Sequence, residues 1–222
     1  MFQRERTPIS IVFYSVYLVF LGLSFRGASR AIKPFIGRSH KSVWEWWQEL
    51  GSDKRFQNMF RIHKERVSLF MMDETCVKIF GKEAYLFVLY EPFVDRILGL
   101  HFAWNANSIT VEIFLKDMIK KYGRHPLWTD GATWYALACD SMKLEHHAYP
   151  RGGWMWEMME RQIQRLKDRT ECFDDLFPCR NEGLKCRLKH VKNWINVFFL
   201  HHQPDYITFS KDIQKNLGAG LR

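Results

Sequence analysis

The chain has no uninterrupted apolar run of the roughly 20 residues that a bilayer-crossing helix requires. The nearest approach, Ile9 to Leu23, is weakened by Ser10, Ser15 and Gly22. Arg4 and Arg6 precede it as in a secretory leader, but Arg26 and Arg30 stand where a small-residue cleavage site belongs. A buried helix of an N-terminal domain is therefore expected there, rather than a membrane-targeting segment. Internal repeats and low-complexity tracts are also missing, which argues against a disordered chain. Cysteine is scarce and odd in number, at five, with Cys76 and Cys139 isolated. No secreted disulfide framework is laid out, and a reducing cytoplasm is the expected setting. Acidic residues are outnumbered, 24 against 33 basic, leaving a net charge of +9. That excess points to a polyanionic partner, nucleic acid before an anionic membrane surface.

What is present is ample material for a core. Of the 222 residues 47% are hydrophobic and 16% aromatic, with nine Trp and eighteen Phe, enough for one large domain or one domain and a small appendage. Residues 1–50 read as an N-terminal helical domain. A short basic helix carrying Arg26, Arg30 and Lys33 ends near Pro34, because proline disfavours helix in the residue before it. Gly37 and Arg38 make a turn, and Ser39 caps a second helix with Val43, Trp46 and Trp47 inward and His40, Lys41 and Glu45 outward. Two short helices, a tight turn and a basic second N-terminus fit a helix-turn-helix that reads double-stranded DNA, although any helical hairpin would pattern similarly.

Residues 51–66 are polar and read as a linker. From 67 to 202 the pattern changes. Val67–Asp73, Ala84–Tyr90 and Ile97–Trp104 are strand-like runs, and a helix capped at Ser108 continues to Tyr122 with Ile109, Ile113, Leu115, Met118 and Ile119 as its apolar positions. A fourth strand ends at Thr129, Thr133–Met142 is helical, Leu144–Tyr149 is a further strand, and Trp154–Thr170 is a long helix. Three meandering strands followed by strand–helix crossovers make a mixed sheet flanked by helices, an α/β architecture.

Acids fall at informative places in that order. Asp73 ends the first strand, Asp130 ends the fourth, and Glu160 lies on the long helix, with Lys167 two turns on along the same face. Singly, such residues are common turn and surface acids. If the first and fourth strands are neighbours, both aspartates emerge at one end of the sheet and the helix can bring Glu160 beside them. Clustered carboxylates repel and call for a cation, and hard oxygen ligands suit Mg²⁺ or Mn²⁺. Two such ions about 3.5–4 Å apart stabilise the attacking and leaving oxygens of an in-line phosphoryl displacement.

MDET at Asp73, WTDGATWY at Asp130, and ER followed by KDRT at Glu160 resemble the DDE transposases of bacterial and archaeal insertion sequences. The nearest group is the small, replicative, cointegrate-forming insertion-sequence-six type. The resemblance runs from about Leu18 to His202 and includes IKPF at Ile32–Phe35. It implies an RNase H-like catalytic domain in which Asp73, Asp130 and Glu160 bind two Mg²⁺ (or Mn²⁺) ions. It also selects Glu160 over Glu157, since Glu157 is followed seven residues later by Gln164 and Glu160 by Lys167. Lys167 and Arg169 would then approach the DNA end. The implied activity is cleavage at the inverted ends of an element and transfer of the freed 3′-hydroxyl into target DNA, in the prokaryotic cytoplasm at the nucleoid, by a homodimer or larger homo-oligomer with no membrane role. A decayed copy that only binds DNA is the alternative. RGGWMWEMME before Glu160 is richer in Trp and Met than the family pattern and sets Glu160 slightly further from Asp130.

Cys172, Cys179, Cys186 and His190 could supply a tetrahedral structural Zn²⁺ site, or be free thiols, since short CxxC pairs are missing. Leu184–Leu200 reads as a basic amphipathic helix with Lys185, Arg187, Lys189 and Lys192 outward. The tail 203–222 carries no readable motif.

Overall fold

The apolar run near the N-terminus folds as α1 (Ile9–Phe20), burying Val12, Phe13, Val16 and Val19 and leaving Ile9, Tyr14 and Tyr17 exposed. The computed structural model describes residues 6–58, 62–79, 82–171 and 188–201. No helix among them is long and apolar enough to cross a membrane. Ser24 caps α2 (Phe25–Ile32) by accepting from the Gly27 N–H, and Ser39 caps α3 (His40–Ser52) by accepting from the Ser42 N–H. A short α4 (Lys54–Asn58) follows and buries Phe56 completely.

The chain divides into two compact units, residues 1–60 with 189–222, and residues 61–188. The first unit corrects the expected boundaries at both ends. Residues 51–58 are not linker, because α3 continues to Ser52 and Phe56 is core. The last described helix, α8 (Leu188–His201), belongs to this unit rather than to a domain running from 67 to 202. Its Trp194 stacks on Trp47 of α3 at 5.7 Å, and the Trp47 indole donates to the Trp194 carbonyl. Gln48 donates to the His190 carbonyl and Asn193 to the Gln48 amide oxygen, so α3 and α8 share both an aromatic seam and a polar one.

The second unit is built on a five-stranded sheet of order β3-β2-β1-β4-β5. Its elements are β1 (Phe70–Ile79), β2 (Lys82–Glu91), β3 (Arg96–Ala103), α5 (Ser108–Tyr122), β4 (Leu127–Thr129), α6 (Thr133–Met142), β5 (His146–Ala148) and α7 (Trp154–Glu171). The strands β1, β2 and β3 form an antiparallel meander, while β4 and β5 add parallel to β1. This order, with β2 alone reversed and crossover helices joining β3, β4 and β5, is the RNase H-like arrangement. Glu91 is fully buried at the β2–β3 turn, where it accepts from the Ser68 and Val94 N–H groups.

Strand alternation separates the two faces. Phe70, Met72, Phe87 and Leu89 point into a core shared with Val111, Phe114, Leu115 and Met118 of α5 and Tyr135 and Ala138 of α6. Full burial of each such side chain stabilises the fold by roughly 1.5–3 kcal/mol before entropy is counted. Met71, Asp73 and Val88 alternate to the opposite face. The helix α7 packs against β1, burying Met159, Ile163 and Leu166. Two details of α5 differ from expectation. Its cap is Asn107, which accepts from the Thr110 N–H, and Ile109 and Ile113 are exposed because the buried stripe follows Val111, Phe114, Leu115, Met118 and Tyr122.

Candidate active site

Asp73 is not at a strand end. The strand β1 continues six residues beyond it to Ile79, with Asp73 paired opposite Val88 of β2. Its level is set by the parallel pairing of β1 with β4, which matches Phe70 with Leu127 and Met71 with Trp128. Carried on by two residues, that register sets Asp73 level with Asp130, the first residue after β4. The Asp130 turn is held by its own side chain, which accepts from the Ala132 N–H at 3.0 Å, and by Thr129, whose hydroxyl accepts from the Gly131 N–H. Gly131 has φ +88°, a conformation that costs a side-chain-bearing residue about 1–2 kcal/mol. Asp130 is exposed and Asp73 half-buried.

Glu160 rides on α7, and polar contacts index that helix to the sheet. The buried Gln162 donates to Asp95 in the β2–β3 turn, and Asp95 also accepts from the Tyr90 hydroxyl at 2.5 Å. Arg165 donates to the Gln162 amide oxygen from one turn further on. Glu160 is half-buried, whereas the rival Glu157 is exposed, as is Lys167.

These acids act on one another. Burial, first, and then the charges of Glu74, Asp130 and Glu160 push the Asp73 carboxyl up to about 7. Glu74 is the acid that sequence reasoning overlooked. It points from β1 toward the opposite face, where the Tyr135 hydroxyl of α6 donates to its Oε2. Burial, above all, and the Asp130 charge raise its pKa in turn. The only prior hint was its adjacency to Asp73 in MDET, and adjacent strand residues face opposite sides. Tyr149, just past β5, completes the group. Its backbone N–H donates to the Thr129 carbonyl, and its phenol feels Asp73, Asp130, Glu74 and Glu160.

Among the described residues no three His, Cys, Asp or Glu side chains are gathered tightly enough to hold a metal ion. The donor set nonetheless suits a hard divalent cation: Asp73, Asp130 and Glu160 offer carboxylate oxygens, and a cation would offset both the burial and the neighbouring charges that push Asp73 upward. The raised Asp73 carboxyl has a measurable consequence. A carboxyl whose pKa rises on folding is neutral in both states below pH about 4, and ionising it in the folded chain costs progressively more up to about 7. Stability in EDTA should therefore fall as pH rises from about 4 to 7 and level off above, by at most about 4 kcal/mol. Denaturant unfolding at pH 5 and pH 8 would measure this. Asp73→Asn should flatten the difference, and Mg²⁺ should diminish it at pH 8. Equal parent stability at both values would refute the raised Asp73 carboxyl.

The proposed DNA-contacting residues lie in the helical unit and on α7. Arg26, Arg30, Lys33, His40 and Lys41 are exposed, Lys41 lying 3.7 Å from Glu45. Arg38 is half-buried and also engaged internally. Its Nε donates to the Thr7 hydroxyl at 2.6 Å and its carbonyl accepts from Ser29, so it ties the α2–α3 turn together. Arg169 is on α7, but its side chain lies outside the described residues, as do Lys185 and Arg187 and, of the suggested zinc ligands, Cys172, Cys179 and Cys186. His190 is described, and its ring meets Trp44 edge-on at 5.3 Å.

Comparison with known proteins gives sequence relatives and fold neighbours. The transposase for the insertion sequence-like element IS431mec of Staphylococcus aureus is 23% identical over 193 residues, spanning 83% of this chain and 84% of the relative. The transposase for insertion sequence element IS257 in transposon Tn4003, also from Staphylococcus aureus, is 24% identical over the same share of each chain. No protein-family profile matches the chain. Among solved structures, the catalytic core domain of BIV integrase aligns with a TM-score of 0.44 at 15% identity, over 67% of this chain and 97% of that one. The HTLV-2 integrase catalytic core domain in complex with magnesium aligns with a TM-score of 0.39 at 18% identity, over 57% and 82%. The chain thus resembles insertion-sequence transposases along most of its length, in keeping with the motif resemblance around Asp73, Asp130 and Glu160.

Proposed function

We propose that the chain is a DNA transposase that cuts and joins strands at the carboxylates of Asp73, Asp130 and Glu160. What supports this is the register that sets Asp73 level with Asp130 and the packing of α7 against β1, with the charges of Asp130 and Glu160 adding to burial in raising the Asp73 carboxyl. Bound there, two divalent cations would supply Lewis-acid charge neutralisation at a phosphate undergoing in-line displacement. The chain's own residues do the rest. Asp73 and Asp130 are held on rigid backbone, and the Gln162–Asp95 contact fixes the axial position of α7 and so of Glu160. Lys167, Arg169 and the exposed Arg26, Arg30, Lys33, His40 and Lys41 hold the backbone of double-stranded DNA, with α2 and α3 as a helix-turn-helix. Both element ends are handled together, which calls for a homodimer or larger assembly.

The reading is tested with plasmid DNA carrying the chain's own coding region and its flanks, where the recognised ends lie. In Mg²⁺ or Mn²⁺ the protein should leave new 3′-hydroxyl termini at fixed positions beside the gene and join them to other DNA, and EDTA should abolish both products. Site-specific binding without metal-dependent nicking would instead assign the chain as a decayed, DNA-binding copy.

A further inference from the structure

Phe35 is 70% exposed, and it stands on the turn between α2 and α3. Lone apolar side chains are ordinary on a protein surface, so exposure alone assigns nothing. This one is held outward by its backbone. Pro34 fixes the chain before it, and the Phe35 and Ile36 N–H groups both donate to the carbonyl of the buried Ile32 at 3.0 Å. On the far side of the turn the Arg38 carbonyl accepts from the Ser29 hydroxyl at 2.6 Å. The ring therefore sits on backbone pinned at both ends. Its setting is also of one sign. From Arg6 to Trp44 the chain contains no Asp or Glu, and Arg30, Lys33, His40 and Lys41 about the turn are all exposed.

A fixed apolar ring within an acid-free basic surface suits one kind of partner. Double-stranded DNA offers phosphates to the cations, and in its major groove it offers an apolar group as well, the C5-methyl of thymine. The place of the ring in the fold agrees. A helix-turn-helix presents the N-terminal residues of its second helix to the base edges of that groove, and Phe35 lies four residues before the Ser39 cap of α3. We propose that Phe35 is a DNA-contacting residue whose ring packs on the C5-methyl of a thymine in the major groove of the recognised ends. The inference rests on the helix-turn-helix part of the transposase reading. It adds to the backbone contacts of the cations one contact that reads a base.

Phe35→Ala removes the ring, and because the ring is exposed the variant should melt with the parent. Fluorescence anisotropy with a labelled duplex from the flank of the chain's own coding region should show binding weakened by about 10-fold, the cost of one lost base contact. Its dependence on salt should be that of the parent, because no phosphate contact is lost. Lys33→Ala is the contrast, and its slope of log affinity against log salt should fall by about 1. Replacing thymines one at a time by deoxyuridine removes a methyl group and nothing else. One such replacement should weaken the parent by about 4-fold, the worth of one buried methyl, and leave Phe35→Ala indifferent. A variant that melts lower yet keeps the parent's sensitivity to deoxyuridine would mark the ring as structural and overturn the proposal. Parent-like binding by Phe35→Ala, or a parent indifferent to every deoxyuridine, would overturn it while leaving the transposase reading intact. A parent that neither binds nor cleaves the flank would remove both.

Discussion

Asp130→Asn is expected to lower metal-dependent strand cleavage by on the order of 10³-fold or more, with the fold unchanged. The substitution is nearly isosteric. The Asn oxygen still accepts from the Ala132 N–H, so the turn through Gly131 is kept, and Asp130 is exposed enough that the new amide is solvated. What disappears is one of the charges that a divalent cation would need. The same loss removes one of the like charges acting on Asp73, so the variant should be at least as stable as the parent at pH 8 in EDTA. Reduced activity together with retained or raised stability separates a ligand role from a structural one. An Asp130→Asn protein that still joined element ends to target DNA in Mg²⁺ would end the transposase mechanism proposed for this site.

Gly51→Ala is expected to unfold or severely loosen the helical unit, at a cost of about 3 kcal/mol or more. Alanine inside a helix normally gains up to about 1 kcal/mol over glycine, so even in the last turn of α3, where Gly51 lies, the sign is set by space. A Cβ on Gly51 would sit 2.0 Å from the Asn193 carbonyl oxygen and 2.6 Å from its carbon, and backbone atoms cannot swing aside as a side-chain tip would. The helices α3 and α8 would have to part, breaking the Trp47–Trp194 stack. The Gly51 carbonyl would also lose its donor from Asn196 on α8. Gly27→Ala is the control, because its nearest neighbours are Ser24 Oγ at 3.4 Å and Leu23 Cβ at 3.5 Å, ordinary contacts. Circular dichroism melts should show Gly51→Ala losing helix at much lower temperature than the parent and Gly27→Ala unchanged. Two coincident curves would show that the helices are not in backbone contact.

The order of elements in the sheet unit was legible because each rests on local signals: apolar runs of strand length, the Glu91-Pro92 turn, and Gly123 closing α5. The two aspartates could be set level with each other once β1 and β4 were taken as neighbours, a pairing that Phe70 with Leu127 bears out. Strand length was harder. TCVKI after Asp73 alternates polar and apolar with Cys76 and Lys78 exposed, and that half-exposed pattern is weaker than the run before it, so β1 was read as ending at Asp73. Glu74 and Tyr149 were missed for a different reason. Their significance lies in a hydroxyl donated from α6 and a hydroxyl left without a donor or acceptor, and neither pairing is local in sequence. The contact of the Arg38 guanidinium with Thr7, 31 residues earlier, is not legible from charge alone. A greater distance hid the attachment of α8, whose apolar face was plain but whose partner helix lies more than a hundred residues upstream.

That attachment bears on how the chain comes off the ribosome. The helical unit is assembled from both sides of the sheet unit, since residues 1–60 must wait for residues from 189 onward. At about 5–20 residues per second, the intervening segment takes on the order of ten seconds to synthesise, during which Trp47 lacks the helix whose Trp194 will stack on it. The sheet unit, whose residues are contiguous, can close first. Nascent α1–α3 therefore pass through a vulnerable interval in which their aromatic face is open to chaperones, and the last turns of α8 are what bring that interval to an end.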